Sequence, residues 1–229
     1  MEDRKVLGGV DAVLFDFDGT LMDTTDIIIG SWQEVYRTVT GKEQDVDVIL
    51  ATFGEPLRDS LRKAFPGHDV EDLVDIYSTW QAGRFEKVVK LFDGVGEMLE
   101  ELAKAGYKMA IVTSRVRPTS LNALSFLGID SFFDTVITAN DCTKHKPDPE
   151  PVNLALEGLA VAPEKAVMIG DTTFDMGCAR NAGVRYVMVG WSSSVPGGRP
   201  EGEQPDAVIE KPEDLPGILD ILRPAQLAQ

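Results

Sequence analysis

The chain has 229 residues, of which 38 are Asp or Glu and 22 are Lys or Arg, giving a formal charge of −16 and a pI near 4.5. A field that negative repels DNA, RNA and anionic lipid, and no Lys/Arg run longer than a pair offsets it, which excludes nucleic-acid and membrane-surface roles. With 43% hydrophobic and 26% charged residues the composition is that of a globular protein, and no apolar run approaches the ~18 residues of a membrane helix.

The first residues, MEDRKVLGGVDAVLFDFDG, lack an apolar region followed by a small-residue cleavage site, so no signal peptide is expected. Cys142 and Cys178 have neither zinc nor disulfide spacing and are expected as reduced thiols, which fits a cytoplasmic protein. A first apolar run at 12–17 reads as a strand and ends in Asp16-Phe-Asp18-Gly-Thr20. Residues 23–90 then show helical patterns near 25–38, 56–65 and 70–88, broken at Gly41 and Pro66-Gly67, with no convincing strand. A structureless loop of that length is improbable, so the segment reads as a small helical domain inserted after the first strand. Trp32, at helical spacing with Ile28 and Val35, is expected in its core.

Asp93 is placed to cap a helix carrying Val95, Met98, Leu99 and Leu102 and stopping at Gly106. A second strand follows at 108–113, then a helix opened by Pro118 and closed at Gly128, and a third strand at 135–139. Pro147 and Pro149 introduce a helix at 152–159, which leads to a strand at 166–170, a helix at 173–182 and a strand at 185–189. Residues 192–205, rich in Gly, Pro and Ser, read as a loop, 207–209 as a weak sixth strand and the last ten residues as a frayed end. Short, continuous Val/Ile-rich runs alternating with amphipathic helices predict a three-layer, doubly wound α/β fold with a parallel sheet. The expected division is a core of 1–22 and 91–229 with the helical domain at 23–90.

Ligands of such sheets bind beyond the carboxyl ends of the strands. The residues there are Asp16, Asp18 and Thr20, then Thr113 and Ser114, then Lys146, then Asp171 and Asp175. Four converging carboxylates repel one another, so a cation must sit among them. Oxygen donors without imidazole or thiolate favour Mg²⁺, which binds through one or two carboxylates, waters and a phosphate. Lys146 adds positive charge on the far side of an anion and the hydroxyls add neutral donors. The pattern is a phosphate site built without a Gly-rich loop.

The pieces DFDGT at 16–20, TS at 113–114, KPDP at 146–149 and GDTTFD at 170–175 stand in the order found in the haloacid dehalogenase superfamily, which the chain resembles over its whole non-inserted part. The insertion matches that superfamily's helical cap of the first type, and within it the chain is most similar to phosphoglycolate phosphatases and related small pyrophosphatases. The resemblance implies Asp16 as the nucleophile that forms an aspartyl-phosphate, and Asp18 as the acid that protonates the leaving oxygen and then activates water. It implies a metal shell of Asp16, Asp171 and the Asp18 main-chain carbonyl. Lys146 would neutralise the transferring phosphoryl group, and Asp175 would hold Lys146 or a metal-bound water. Ser114 is expected to donate to phosphate; Thr20 and Thr113 have two readings, phosphate donors or turn caps.

Members that cleave C–halogen or C–P bonds lack a carboxylate at the Asp18 position, and the cap histidine of the related mutases has no counterpart in residues 24–35. His68 and His145 read as loop residues. Substrate choice is expected in the cap, where Phe53-Gly54-Glu55-Pro56-Leu57-Arg58 opens a helix with Arg58 and Arg62 on one face; each has two readings, a binder of a substrate carboxylate or second phosphate or, the favoured one, a solvated or salt-bridged arginine. The favoured function is a Mg²⁺-dependent phosphatase of small phosphorylated metabolites, phosphoglycolate first. The alternatives are an inorganic pyrophosphatase using the same machinery and, from another class, a catalytically silent binding or regulatory protein. A monomer or homodimer with no nucleic-acid or membrane partner is expected.

Overall fold

The computed structural model describes residues 9–192 and 204–220. The expectations for the first eight residues, for most of the 192–205 loop and for all but the first of the last ten residues lie outside them. In chain order the elements are β1 (Ala12–Phe15), β2 (Met22–Asp23), α1 (Thr25–Thr40), α2 (Val46–Leu50), α3 (Leu57–Ala64), α4 (Val70–Gln81), α5 (Phe85–Val88) and β3 (Lys90–Leu91). They continue with α6 (Val95–Lys104), β4 (Lys108–Val112), α7 (Arg117–Leu127), β5 (Thr135–Ile137), α8 (Glu150–Leu159), β6 (Ala166–Gly170), α9 (Thr173–Asn181), β7 (Arg185–Val189), β8 (Ala207–Ile209) and α10 (Asp214–Asp220).

Six strands form one parallel sheet in the order β5-β4-β1-β6-β7-β8. All four residues of β1 are buried, as a strand covered on both faces must be. Val13 and Phe15 point into a cluster completed by Val95, Met98, Leu99 and Leu102 of α6, with Leu215 and Ile218 of α10. Ala12 and Leu14 point the other way, onto Val152, Ala155 and Leu156 of α8 and Cys178 and Ala179 of α9. Two apolar faces, each sealed by helices, make the three layers. β1 adjoins both β4 and β6, so strand order reverses at its carboxyl end, where a crevice for ligands opens.

The helices α1 to α5 lie between β1 and β4 in sequence, and α1 to α4 share a cluster of Trp32, Val35, Ile49, Leu61, Phe65, Leu73 and Tyr77. Trp32 packs at ring contact with Tyr36, Phe65 and Tyr77. Three local features differ from expectation. The anticipated 70–88 helix is two helices, parted where Gly83 takes φ +71°, and α2, started by the Asp45 side chain accepting from Asp47 N–H, was not foreseen. The chain leaves and re-enters the sheet through a short antiparallel ribbon, Met22 against Leu91 and Asp23 against Lys90; two-residue strands carry no readable periodicity. Gly94, at φ +90°, and not Asp93, precedes α6, and no side chain caps it. Among the described residues no helix is long and apolar enough to cross a membrane.

Candidate active site

The sheet register sets the site. Phe15 lies beside Ile111 and Ile169, so Asp16, Thr113 and Asp171, one or two residues further along, reach the same edge. The Asp16 N–H donates to the Ile169 carbonyl at 2.9 Å, and Thr113 N–H donates to Ile137 at 2.9 Å. After Asp16 the chain must turn beside β6. Gly19 does so at φ +78°, and a Cβ there would overlap the Asp171 carboxylate, so glycine is required twice over.

Lys146 Nζ donates to Asp16 Oδ1 at 2.8 Å and to Asp175 Oδ1 at 2.5 Å, with the lysine side chain only 3% exposed. The other oxygen of Asp175 accepts from Thr172 N–H at 3.1 Å and from the Thr172 hydroxyl at 2.5 Å. With Thr172 accepting from Asp175 N–H, this is a reciprocal cap on α9. Thr172, not Asp171, therefore starts that helix, and Asp171 is left to face Asp16. Its carboxylate accepts from Ser192 at 2.7 Å and from Thr20 at 3.3 Å.

Asp16, Asp171 and Asp175 each present a carboxylate oxygen within 4.8 Å of the others, all buried. Burial, and after it the charge of Asp175, push the Asp16 carboxyl well above the usual carboxylate range against the pull of Lys146. Burial alone would lower Lys146, yet Asp16 and Asp175 outweigh it and hold the ammonium charged. Three buried carboxylates around one ammonium leave the cluster short of positive charge. The donor set is entirely hard oxygen, with no imidazole or thiolate among the three, and it fits a metal ion.

The other anticipated residues divide. Asp18 turns away from the triad: its carboxylate accepts from Arg115 Nη1 at 2.8 Å. Thr113 Oγ1 accepts from Arg115 N–H at 3.1 Å, which leaves its own O–H as a donor. The Ser114 hydroxyl, expected on phosphate, instead donates to the Gly54 carbonyl at 2.9 Å and so ties the inserted helices to the sheet edge. Gly54, at φ +88°, sits against Thr172 and Phe174 so closely that a Cβ would come within 2.9 Å of the Thr172 hydroxyl.

Arg58 takes the salt-bridged of its two readings. Its Nε and Nη2 both donate at 2.8 Å to Glu71 of α4, in a pair 44% and 61% exposed, and Arg62 pairs with Asp59. Both guanidiniums are engaged in exposed pairs, on a face that α3 presents to α4 and to solvent. Arg115 and Ser192 are residues that the sequence reading passed over. Arg115 directly follows the Thr113-Ser114 pair, but an arginine there carries no mark that separates it from a surface charge. Ser192 follows β7 and was absorbed into a loop.

A family model described as haloacid dehalogenase-like hydrolase matches residues 13–189. Pyrophosphatase PpaX from Bacillus velezensis is 35% identical over 216 residues, 94% of this chain and 97% of that protein. A solved structure described as a haloacid dehalogenase-like hydrolase, from Bacteroides fragilis, superposes with a TM-score of 0.82 at 29% identity over 90% of this chain and 99% of that one. Another, from Lactobacillus plantarum and provisionally described as a phosphoglycolate phosphatase, shares the fold with a TM-score of 0.77 at 24% identity, covering 92% and 99%.

Proposed function

This chain belongs to the haloacid dehalogenase-like hydrolase family, and from that premise we propose that it is a Mg²⁺-dependent phosphatase of small phosphorylated compounds that works through an aspartyl-phosphate on Asp16. The observation that carries the reading is the bonding of Lys146 to Asp16 and Asp175 at the edge where strand order reverses.

An Asp16 carboxylate oxygen attacks phosphorus, and the bond to the leaving oxygen breaks as the aspartyl-phosphate forms. Asp18 gives its proton to the departing oxygen; it then takes one from the water that cleaves the acyl phosphate and restores Asp16. Lys146 holds Asp16 in place and neutralises charge on the phosphoryl oxygens, and Thr113 supplies its free O–H to them. Asp175 fixes the ammonium between two carboxylates and anchors α9. Asp16, Asp171 and the Asp18 main-chain carbonyl would hold the metal, whose chemistry there is neutralisation and alignment of the phosphoryl group; oxygen-only donors favour Mg²⁺. Residues 23–90 act as a cap over a core of 1–22 and 91–229. The cap excludes water from the acyl phosphate, and Ser114 serves as its tie through Gly54 instead of as a phosphate donor.

Phosphoglycolate is the favoured substrate by motif resemblance. Pyrophosphate is the second reading, and the 35% identity to pyrophosphatase PpaX over 94% of the chain favours it. Turnover of phosphoglycolate, pyrophosphate and sugar phosphates with Mg²⁺ and with EDTA tests the proposal. Hydrolysis that requires the metal is expected; undiminished turnover in EDTA overturns the metal role, and no turnover of any phosphate compound overturns the proposal.

A further inference from the structure

The phosphoryl end of the site leaves one cation unaccounted for. Arg115 stands where β4 ends, its N–H held by Thr113 and its carbonyl accepting from Ala139 at 2.9 Å, so its backbone is fixed between two strand ends. Its Nη1 reaches Asp18 at 2.8 Å, and its guanidinium carbon lies 5.3 Å from the Phe85 ring centroid, in the cation–π range. Phe85 belongs to α5, so a residue of the core is sandwiched between the acid Asp18 and the inserted helices. Tyr77 of α4 also feels both Arg115 and Asp18, although burial is the larger influence on its phenol and raises it. The guanidinium is 14% exposed, and its Nε is buried with no acceptor among the described residues. Lys146, by contrast, already has two carboxylate partners within 2.8 Å.

Geometry then places Arg115 on the leaving-group side. If Asp18 protonates the leaving oxygen, that oxygen is within hydrogen-bond reach of Asp18, and Arg115 touches the same carboxylate. A guanidinium presents donors on two edges; one edge is on Asp18, and the remaining donors match a planar or tetrahedral anion. Charge leads to the same conclusion. Asp16, Asp171 and Asp175, with Asp18 once it has given up its proton, carry four negative charges against two positive ones from Lys146 and Arg115, a deficit that a divalent cation cancels. A substrate bearing a second anion gains from Arg115 what the phosphoryl group gains from Lys146.

Resting on the phosphatase reading above, we infer that Arg115 binds a negative charge on the leaving group, and that the substrates are phosphorylated compounds whose leaving group is itself an anion, a carboxylate or a second phosphate, in preference to uncharged alcohols and sugars. Arg115 is thus the residue that reads the substrate, in the role that the other reading gave Arg58. Phe85 keeps the guanidinium plane in place, so the arginine is ordered before the anion arrives.

The test compares kcat/KM for phosphoglycolate and pyrophosphate with that for 2-hydroxyethyl phosphate, which replaces the carboxylate of phosphoglycolate by an uncharged carbinol. In the wild-type enzyme at least one of the two anionic substrates is expected to exceed 2-hydroxyethyl phosphate by about 10- to 100-fold, the range for a charge-assisted hydrogen bond. In Arg115→Gln that ratio falls toward one, and in Arg115→Lys, which keeps the charge without the fork, it falls less. A wild-type ratio near one overturns the inference without any variant. So does an Arg115→Gln loss of equal size on the charged and uncharged substrates, which would reduce Arg115 to a positioning partner of Asp18. Turnover of sugar phosphates with none of these three compounds would overturn it as well, whereas absence of turnover on every phosphate compound would instead overturn the phosphatase reading on which the inference rests.

Discussion

Replacing Lys146 by Met removes the ammonium that lies 2.8 Å from Asp16 and 2.5 Å from Asp175 and leaves three mutually close carboxylates without their cation. Met fills most of the lysine's volume, so the effect is one of charge and not of a cavity. Removing one partner of a buried ion pair costs about 3–5 kcal/mol. For a chain of this size each kcal/mol lowers Tm by about 2–4 °C, so the metal-free variant should melt roughly 6–20 °C below the wild type near neutral pH. The gap should depend on pH in a set direction. Burial and Asp175 hold the Asp16 carboxyl above its unfolded value, so the folded state takes up a proton more readily than the unfolded chain, and the stability this gives is fully present below the unfolded value and lost as pH rises through the raised one. Without Lys146 the upward shift is larger. The gap measured in EDTA should therefore narrow on acidification. Millimolar Mg²⁺ should raise the Tm of the variant more than that of the wild type, since a cation that binds only the folded state stabilises it by mass action. Calorimetric melting of both proteins under these conditions is the assay. A drop below about 2 °C in EDTA at pH about 8, or a gap that widens on acidification, would refute the picture of a buried, charge-deficient cluster.

Arg58→Ala should leave kcat/KM within about twofold and cost at most about 1 kcal/mol, because it breaks only an exposed pair with Glu71; a tenfold loss of activity would return Arg58 to the substrate. Gly19→Ala puts a methyl group on the Asp171 carboxylate at a positive φ, and isothermal titration should show Mg²⁺ affinity reduced by at least about tenfold; unchanged affinity would remove Asp171 from the metal shell. Burial pushes the Cys142 and Cys178 thiols up to about 11. At pH about 8 their reaction with a thiol reagent should therefore be about a hundredfold slower than that of a free cysteine, and rapid labelling of Cys178 would contradict its burial against α8.

The strands were legible because parallel strands covered on both faces must be continuously apolar, and β6, β7 and β8 begin and end where the runs do. The first three runs were read one or two residues long: beyond Phe15 and Val112 stand the site residues Asp16 and Thr113, and beyond Ile137 the chain turns as Thr138 bonds Asp141. Helix ends marked by backbone-constrained residues were legible too: Gly41 and Gly128 each close a helix in the left-handed conformation. What the sequence could not show was pairing at a distance. Arg115 and Asp18 are 97 residues apart on neighbouring strand ends, Ser114 and Gly54 are 60 apart, and no local pattern says which side chains meet there or that the insertion folds back onto Ser114. Arg58 kept two readings for the same reason: helical spacing put it on a face with Arg62, but not which face, and Glu71, 13 residues on, has the complementary geometry. Asp16 and Asp18 are near neighbours in sequence, yet their side chains have different partners, Lys146 and Arg115.

The central claim is that Asp16 carries the phosphoryl group, and the most direct measurement is chemical trapping. Enzyme turning over pyrophosphate or phosphoglycolate with Mg²⁺ would be quenched, reduced with borohydride to convert any aspartyl-phosphate to homoserine, and mapped by peptide mass spectrometry. Substrate-dependent homoserine at position 16, absent from Asp16→Asn, is the predicted result. Homoserine at another aspartate, or none at any position while hydrolysis proceeds, would contradict the account.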